Sequence, residues 1–327
     1  MRVVALACLF LLFLPACGRE RPIAAPPATT EEDPLGGFEE EALGGKIAID
    51  GSSTVAPLMG YAAEQFRKEE PGVRITVGVS GTGGGFERFC RGETDLSNAS
   101  RQIKDEERQL CEKNRIRFFE LQVANDGIAI VVNPENTWAD CLTVDQLKRI
   151  WEPGSKVDSW DDIDPGFPSE KLELFGAGTD SGTFDYFTDA IVGEEGSSRS
   201  DYTASEDDNV TVRGVSGVNA SLGYFGLSYL LENEGKVKPL AVDGGEGCVK
   251  PSIDTVQSGE YKPLSRPLFT YVRESALEEK PAVDSFLVFL LENQPRLARP
   301  AKFVPMTRAQ LDRAQTVLES GGIGVDG

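Results

Sequence analysis

Apolar and polar positions change period repeatedly along this chain. Lys46-Ile47-Ala48-Ile49-Asp50 reads as a short strand. Val55, Leu58, Met59, Ala62 and Phe66 then fall at i, i+3, i+4, i+7 and i+11, which is one face of a helix. Pro57 sits in its first turn, where a missing N–H costs nothing, and Pro71-Gly72 stops it. Val73, Ile75, Val77 and Val79 alternate with Arg74, Thr76 and Gly78, so period two returns and predicts a strand. Phe86, Phe89 and Cys90 open the next helical face. Gly127 to Asn133 predicts a buried strand, and Thr143 to Trp151 a helix with Thr143 and Gln146 spaced as a capping box. Leu172 to Phe175 is another strand, followed by a helix with Phe184, Phe187 and Ile191 on its apolar side. Gly193 to Asp208 reads as a loop, Leu268 to Val272 as a strand and Val283 to Leu291 as a strongly apolar helix. This βαβα alternation implies an α/β fold, with mixed or parallel sheets covered by helices.

Three of the strand-to-helix junctions share one chemistry. They are Gly51-Ser52-Ser53-Thr54, Ser80-Gly81-Thr82-Gly83-Gly84-Gly85 and Thr179-Asp180-Ser181-Gly182-Thr183. A helix N-terminus leaves its first N–H groups unpaired and carries a partial positive charge, which suits an anion. Hydroxyls add O–H donors, and glycine lets the backbone come close. Hydrogen bonds to a charged group contribute roughly 1.5–3 kcal/mol each, enough in number to offset the desolvation of a small oxyanion. Open α/β sheets place ligands at strand carboxyl ends, and a ligand between two lobes would bring the three junctions together. The glycine-rich turn lacks the lysine of a Walker loop and matches the dinucleotide pattern only in part. Arg101 is a candidate guanidinium fork for two oxygens, and Asp126 a candidate acceptor of a ligand proton.

Composition narrows the field. The 327 residues carry a formal charge of −20 and contain no histidine. Histidine-based nucleophilic triads and histidine-ligated zinc are therefore excluded. Nucleic acid is an improbable partner for so acidic a chain without a basic stripe. Surface acidity does not exclude an anion, because screening over about 8 Å leaves local dipoles to decide at a buried site. No cofactor and no metal are expected.

The N-terminus reads as an export signal. Arg2 precedes an apolar run from Val3 to Phe13, ending in Leu14-Pro15-Ala16-Cys17-Gly18. This resembles the bacterial lipobox, which implies cleavage after residue 16 and a lipid on Cys17 that anchors the protein to the membrane. Residues 17–44 read as a solvated tether with Pro22, Pro26, Pro27 and Pro34 and acids from Glu31 to Glu41. Setting aside Cys8 and Cys17 leaves four of the six cysteines, an even number in an exported chain. Three pairings are open; Cys90–Cys111 with Cys141–Cys248 is favoured, one closing a short loop and one a long loop.

With these residues in view, the chain resembles the periplasmic or lipoprotein phosphate-binding proteins of bacterial phosphate-specific ABC transporters. The resemblance rests on residues 50–57, 80–86, 92–101, 126–129 and 179–184, and on Gly223-Tyr224-Phe225 and Arg266-Pro267-Leu268. It implies a two-lobed binding-protein fold with two chain crossovers and a ligand cleft. Residues 45–123 with 268–327 would form one lobe and 124–267 the other. It further implies inorganic phosphate as ligand, delivery to the permease subunits of an ABC transporter, and a monomer. By motif position the implied contacts are Ser53, Thr54, Ser80, Gly81, Thr82, Ser181, Gly182 and Thr183. One departure stands out: some members carry an aspartate where Arg101 stands and an arginine near the position of Ala177. A phosphate sensor or surface adhesin on the same fold, and a secreted phosphate-ester hydrolase, are the alternative functions.

Overall fold

A computed structural model describes residues 43–322. The export signal, Cys17 and all but the last two residues of the expected tether lie outside the described residues. Strand β1 (Gly45–Gly51) pairs parallel with β2 (Val73–Val77) and with β3 (Leu96–Ala99). Helix α1 (Ala56–Glu69) connects the first two strands and buries Leu58, Met59, Ala62 and Phe66, the face its spacing predicts. Helix α2 (Gly81–Phe89) follows β2 and buries Phe86 and Phe89. A Cβ on Gly85 would stand 2.4 Å from the Gly51 Cα, so only glycine lets α2 lie backbone to backbone against β1. Because β1, β2 and β3 run parallel, their carboxyl ends share one edge of the sheet, and the first two hydroxyl-rich turns sit side by side there.

After α3 (Asp105–Lys113) the chain enters β4 (Phe118–Val132), a 15-residue strand. Sequence pattern shows only its second half, because Asn125 and Asp126 interrupt the apolar run. The strand continues through them because both are held by tertiary partners: Asn125 bridges to Val304, and Asp126 pairs with Arg266. Residues 128–132 of β4 pair with β8 (Ser221–Gly226), and residues 118–127 pair with β12 (Ser265–Arg273). Strands β4 and β12 thus form one antiparallel ladder through which the chain leaves the first lobe and returns to it. The second lobe is built on β8, β6 (Glu173–Ala177) and β7 (Thr203–Ser205), all parallel to one another. The short β7 lies in the segment its polarity marks as loop. Helix α4 (Val144–Trp151) starts at the Thr143–Gln146 capping box, as its spacing predicts.

Each lobe has its own core. One cluster includes Ile47, Leu58, Phe66, Leu121, Phe286 and Leu290; the other includes Ile130, Trp151, Trp160, Phe187 and Tyr224. Burial of such side chains contributes roughly 1.5–3 kcal/mol each. Two disulfides, Cys90–Cys111 and Cys141–Cys248, match the favoured pairing. The first sits in a small cluster with Phe86, Phe89 and Tyr271 beneath α2. The second links the two edge strands of one three-stranded sheet, β5 (Cys141–Thr143) and the strand Cys248–Val249, across a sequence separation of 107. Cross-links over long loops limit the unfolded chain most.

Candidate functional site

Asp50, at the end of β1, organises the turns. Its carboxylate accepts the Gly51 N–H at 2.7 Å and the Ser80 N–H at 3.1 Å, and it pairs with Arg88 on α2. This pins the start of α2 next to the start of α1. The Ser80 N–H is thereby consumed and its side chain is solvent-exposed. The N–H groups of Gly81 and Thr82 are left at the open end of α2, and those of Ser53 and Thr54 at the open end of α1. Thr82 Oγ1 is positioned by Ser100, with the two hydroxyl oxygens 3.1 Å apart.

Between these turns and the second lobe lies a cavity of about 30 Å³, into which Ser53, Thr54, Thr82, Arg101, Asp185 and Arg266 project. The lobes touch across it. Ser53 Oγ donates to Asp185 at 3.3 Å, and Thr54 Oγ1 lies 3.4 Å from the Gly182 carbonyl oxygen. Ser181 caps its own helix (Gly182–Phe187), where Ser181 Oγ accepts the Thr183 N–H at 3.1 Å. Gly182 abuts Thr54 and serves close approach. Of the residues expected from sequence, Ser53, Thr54, Gly81, Thr82 and Arg101 line the cavity; Ser80, Asp126, Ser181, Gly182 and Thr183 do not.

Arg101 presents two edges. Its Nη1 and Nη2 atoms engage Glu107 end-on at 2.9 and 2.7 Å. Nη1 also donates to the Gln102 carbonyl. The Nε–H and the second Nη2–H, on the adjacent edge, are not used by these bonds. Glu107 therefore holds the guanidinium rigidly while leaving one planar pair of donors for a ligand.

Arg266 is the residue that motif reasoning did not place in the site. It stands on β12 directly opposite Asp126 on β4, and both Nε and Nη2 reach the Asp126 carboxylate, at 3.4 and 3.3 Å. Its other donors go to the Ser100 carbonyl at 3.2 Å and to Thr54 Oγ1 at 3.1 Å. The guanidinium carbon sits 3.6 Å from the centre of the Tyr186 ring, a cation–π contact with the second lobe. Arg266 thus touches both lobes and the crossover. The signal for it was an arginine just before a predicted strand, beside a proline, and strand register decides where it points. Asp126 lies behind Arg266. Burial pushes the Asp126 carboxyl up from its usual range, and the arginine charge offsets this only in part.

The second lobe brings acids. Asp185 lines the cavity, and Asp189 and Glu195 stand at its exposed rim. Burial raises the Asp185 pKa, opposed by the Ser53 hydrogen bond and Arg266. Glu195 is raised by burial first and then by Asp185 and Asp189. The site therefore offers backbone N–H groups, hydroxyls and two guanidinium groups on one side and a carboxylate on the other. That arrangement can hold a small oxyanion that carries hydrogen.

Similarity to known proteins agrees with this geometry. The PBP superfamily domain model matches residues 36–294. Protein SphX of Synechocystis sp. is 44% identical over 280 residues, covering 85% of this chain and 83% of that protein. The phosphate-binding protein PstS of Staphylococcus saprophyticus is 37% identical over 276 residues, covering 84% and 85%. The crystal structure of a possible phosphate binding protein from Planctomyces limnophilus superposes with a TM-score of 0.81 at 44% identity, covering 85% of this chain and 99% of that one. Matched along most of its length by a family model and by relatives well above 30% identity, the chain belongs to the PBP superfamily, in the family of the PstS and SphX proteins.

Proposed function

We propose that this protein captures inorganic phosphate outside the cytoplasmic membrane and hands it to an ABC permease. The observation that carries the reading is the convergence of two open helix N-termini, at Ser53–Thr54 and Gly81–Thr82, with Arg101 and Arg266 around one small cavity closed by the second lobe. Dipoles and charge-assisted donors aimed at one point suit a tetrahedral oxyanion. The named PstS relative is a phosphate-binding protein, and the Planctomyces structure is described as a possible one. In this reading Arg266 supplies fixed charge and Asp126 keeps it in place. The lobes, 45–123 with 268–327 and 124–267, part and close about β4 and β12. A hydrolase reading has no support from a histidine base, since the chain has no histidine.

Calorimetry with orthophosphate tests the reading. We expect micromolar or tighter binding, near −8 kcal/mol. At 100 times Kd, phosphate should stabilise the fold by about 2.7 kcal/mol, seen as a higher Tm. No heat and no Tm shift at millimolar phosphate would refute the reading.

Two disulfides and the apolar N-terminal run support export, and the lipobox-like segment supports anchoring through Cys17. Cys17→Ala should release the protein from the membrane fraction into the soluble one. Retention in the membrane would overturn the anchor. We further propose that the protein acts as a monomer.

A further inference from the structure

Arg266 has almost no donor left for a ligand. Its Nε donates to Asp126, its Nη2 to Asp126 and to Thr54 Oγ1, and its Nη1 to the Ser100 carbonyl. A guanidinium has five N–H groups, so these four bonds leave one, on Nη1. What Arg266 gives the cavity is therefore mainly its charge. The strength of that charge at an anion depends on how much water surrounds it and on which groups hold it.

Tyr186 bears on both. It lies at the cavity wall, 6% exposed, on the helix Gly182–Phe187 and next to Asp185 in the chain. Its ring covers the guanidinium, with the ring centre 3.6 Å from the guanidinium carbon. Its hydroxyl is occupied elsewhere and donates to the Pro263 carbonyl at 2.7 Å. Pro263 stands just before β12 and three residues before Arg266. One side chain thus grips the backbone that leads into β12 and lies on the arginine that β12 presents.

The kind of contact matters as much as its place. A carboxylate at this position would hold the arginine but oppose its charge, and Asp126 already does so once. The face of an aromatic ring attracts a cation through its quadrupole and carries no net charge. The ring also keeps water off the guanidinium, whose side chain is only 14% exposed. In so dry a setting a unit charge acts more strongly on an anion than it does in water.

We propose that Tyr186 is a positioning residue for phosphate: its ring fixes and dehydrates Arg266 without neutralising it, so that affinity depends on an aromatic face at position 186. The inference rests on the phosphate reading and deepens it. Tyr186 gives the anion no donor and acts through Arg266.

The test is calorimetric titration of phosphate into a series of variants at this position. Tyr186→Phe and Tyr186→Leu both leave the Pro263 carbonyl without its partner, so the difference between them isolates the ring. We expect binding about threefold weaker in Tyr186→Phe and about thirtyfold weaker in Tyr186→Leu. Made in the Arg266→Ala, Asp126→Asn background, the leucine change should cost less than about twofold, because the cation it serves is gone. Equal loss in both backgrounds would overturn the proposal and reduce Tyr186 to packing. Equal affinity of the phenylalanine and leucine variants would overturn it too. A trifluorinated phenylalanine at position 186 keeps the shape of the ring and drains negative charge from its face, so it serves even should the leucine variant fold poorly. We expect it to bind phosphate about fivefold more weakly than Tyr186→Phe, and equal affinity would overturn the proposal. Each of these failures leaves phosphate binding standing. Absence of phosphate binding by the wild-type protein would instead overturn the functional reading and this inference with it.

Discussion

Arg266→Ala is expected to lower phosphate affinity at least a hundredfold and to destabilise the empty protein as well. The guanidinium is held between Asp126, Thr54, the Ser100 carbonyl and the Tyr186 ring. At an effective dielectric near 20, a unit charge about 5 Å from the anion contributes about 3 kcal/mol, which sets the scale of the binding loss. The stability loss has a different origin. Without Arg266, Asp126 is a buried carboxylate with no cation. Breaking such a pair costs about 3 kcal/mol, equivalent to a Tm roughly 6–12 °C lower in a protein of this size.

The pH dependence separates the two effects. Burial already raises Asp126 above its unfolded value, and losing the arginine raises it further. A raised carboxyl pKa favours the folded state at low pH and disfavours it as pH climbs through that interval. The stability deficit of Arg266→Ala should therefore be small in acid and grow towards neutrality. The double variant Arg266→Ala with Asp126→Asn should recover most of the Tm and none of the affinity. Thermal melts across pH and phosphate titrations of both variants check this; a double variant that regains binding would remove Arg266 from the site.

Gly182→Ala should act on closure alone. A Cβ at this position would stand 2.5 Å from Thr54 Oγ1 and 2.9 Å from its Cα. Neither core is touched, so the Tm of the phosphate-free protein should stay within about 1 °C of wild type. Because the two residues belong to different lobes, the least costly relief is a slight opening of the cleft. Overpacking of this kind costs about 1–3 kcal/mol, and here that cost falls on the closed state, weakening phosphate binding roughly 10- to 100-fold. Small-angle scattering should show less compaction on adding phosphate. Wild-type affinity in Gly182→Ala would show that Thr54 and Gly182 do not need to meet when the ligand is held.

The elements with a clear period were legible before any coordinates. Helix α1 and strand β2 follow their spacing because each puts one apolar face on a sheet or beneath a helix. Export and parity implied that the four cysteines form disulfides, and of the three pairings left open the favoured one is observed. The first half of β4 was hidden by Asn125 and Asp126, polar residues that a strand tolerates only when distant partners satisfy them. The same blindness affected the site. Ser181 and Thr183 look like ligand donors by composition, yet Ser181 Oγ caps its own helix and neither residue lines the cavity. Arg266 and Asp185 look like ordinary charged residues until strand register and lobe contact bring them to Thr54 and Ser53.

Local chemistry along the chain therefore determined the α/β alternation and the two turns that open towards an anion, since strand period, helix caps and unpaired N–H groups are properties of neighbouring residues. Only the tertiary structure decided which charges surround that anion. Asp126 and Arg266 lie 140 residues apart, and their meeting depends on the register of β4 against β12. The carboxylates of the second lobe reach the cavity only when the two cores close on each other, an arrangement set by long-range packing that no short stretch of sequence encodes.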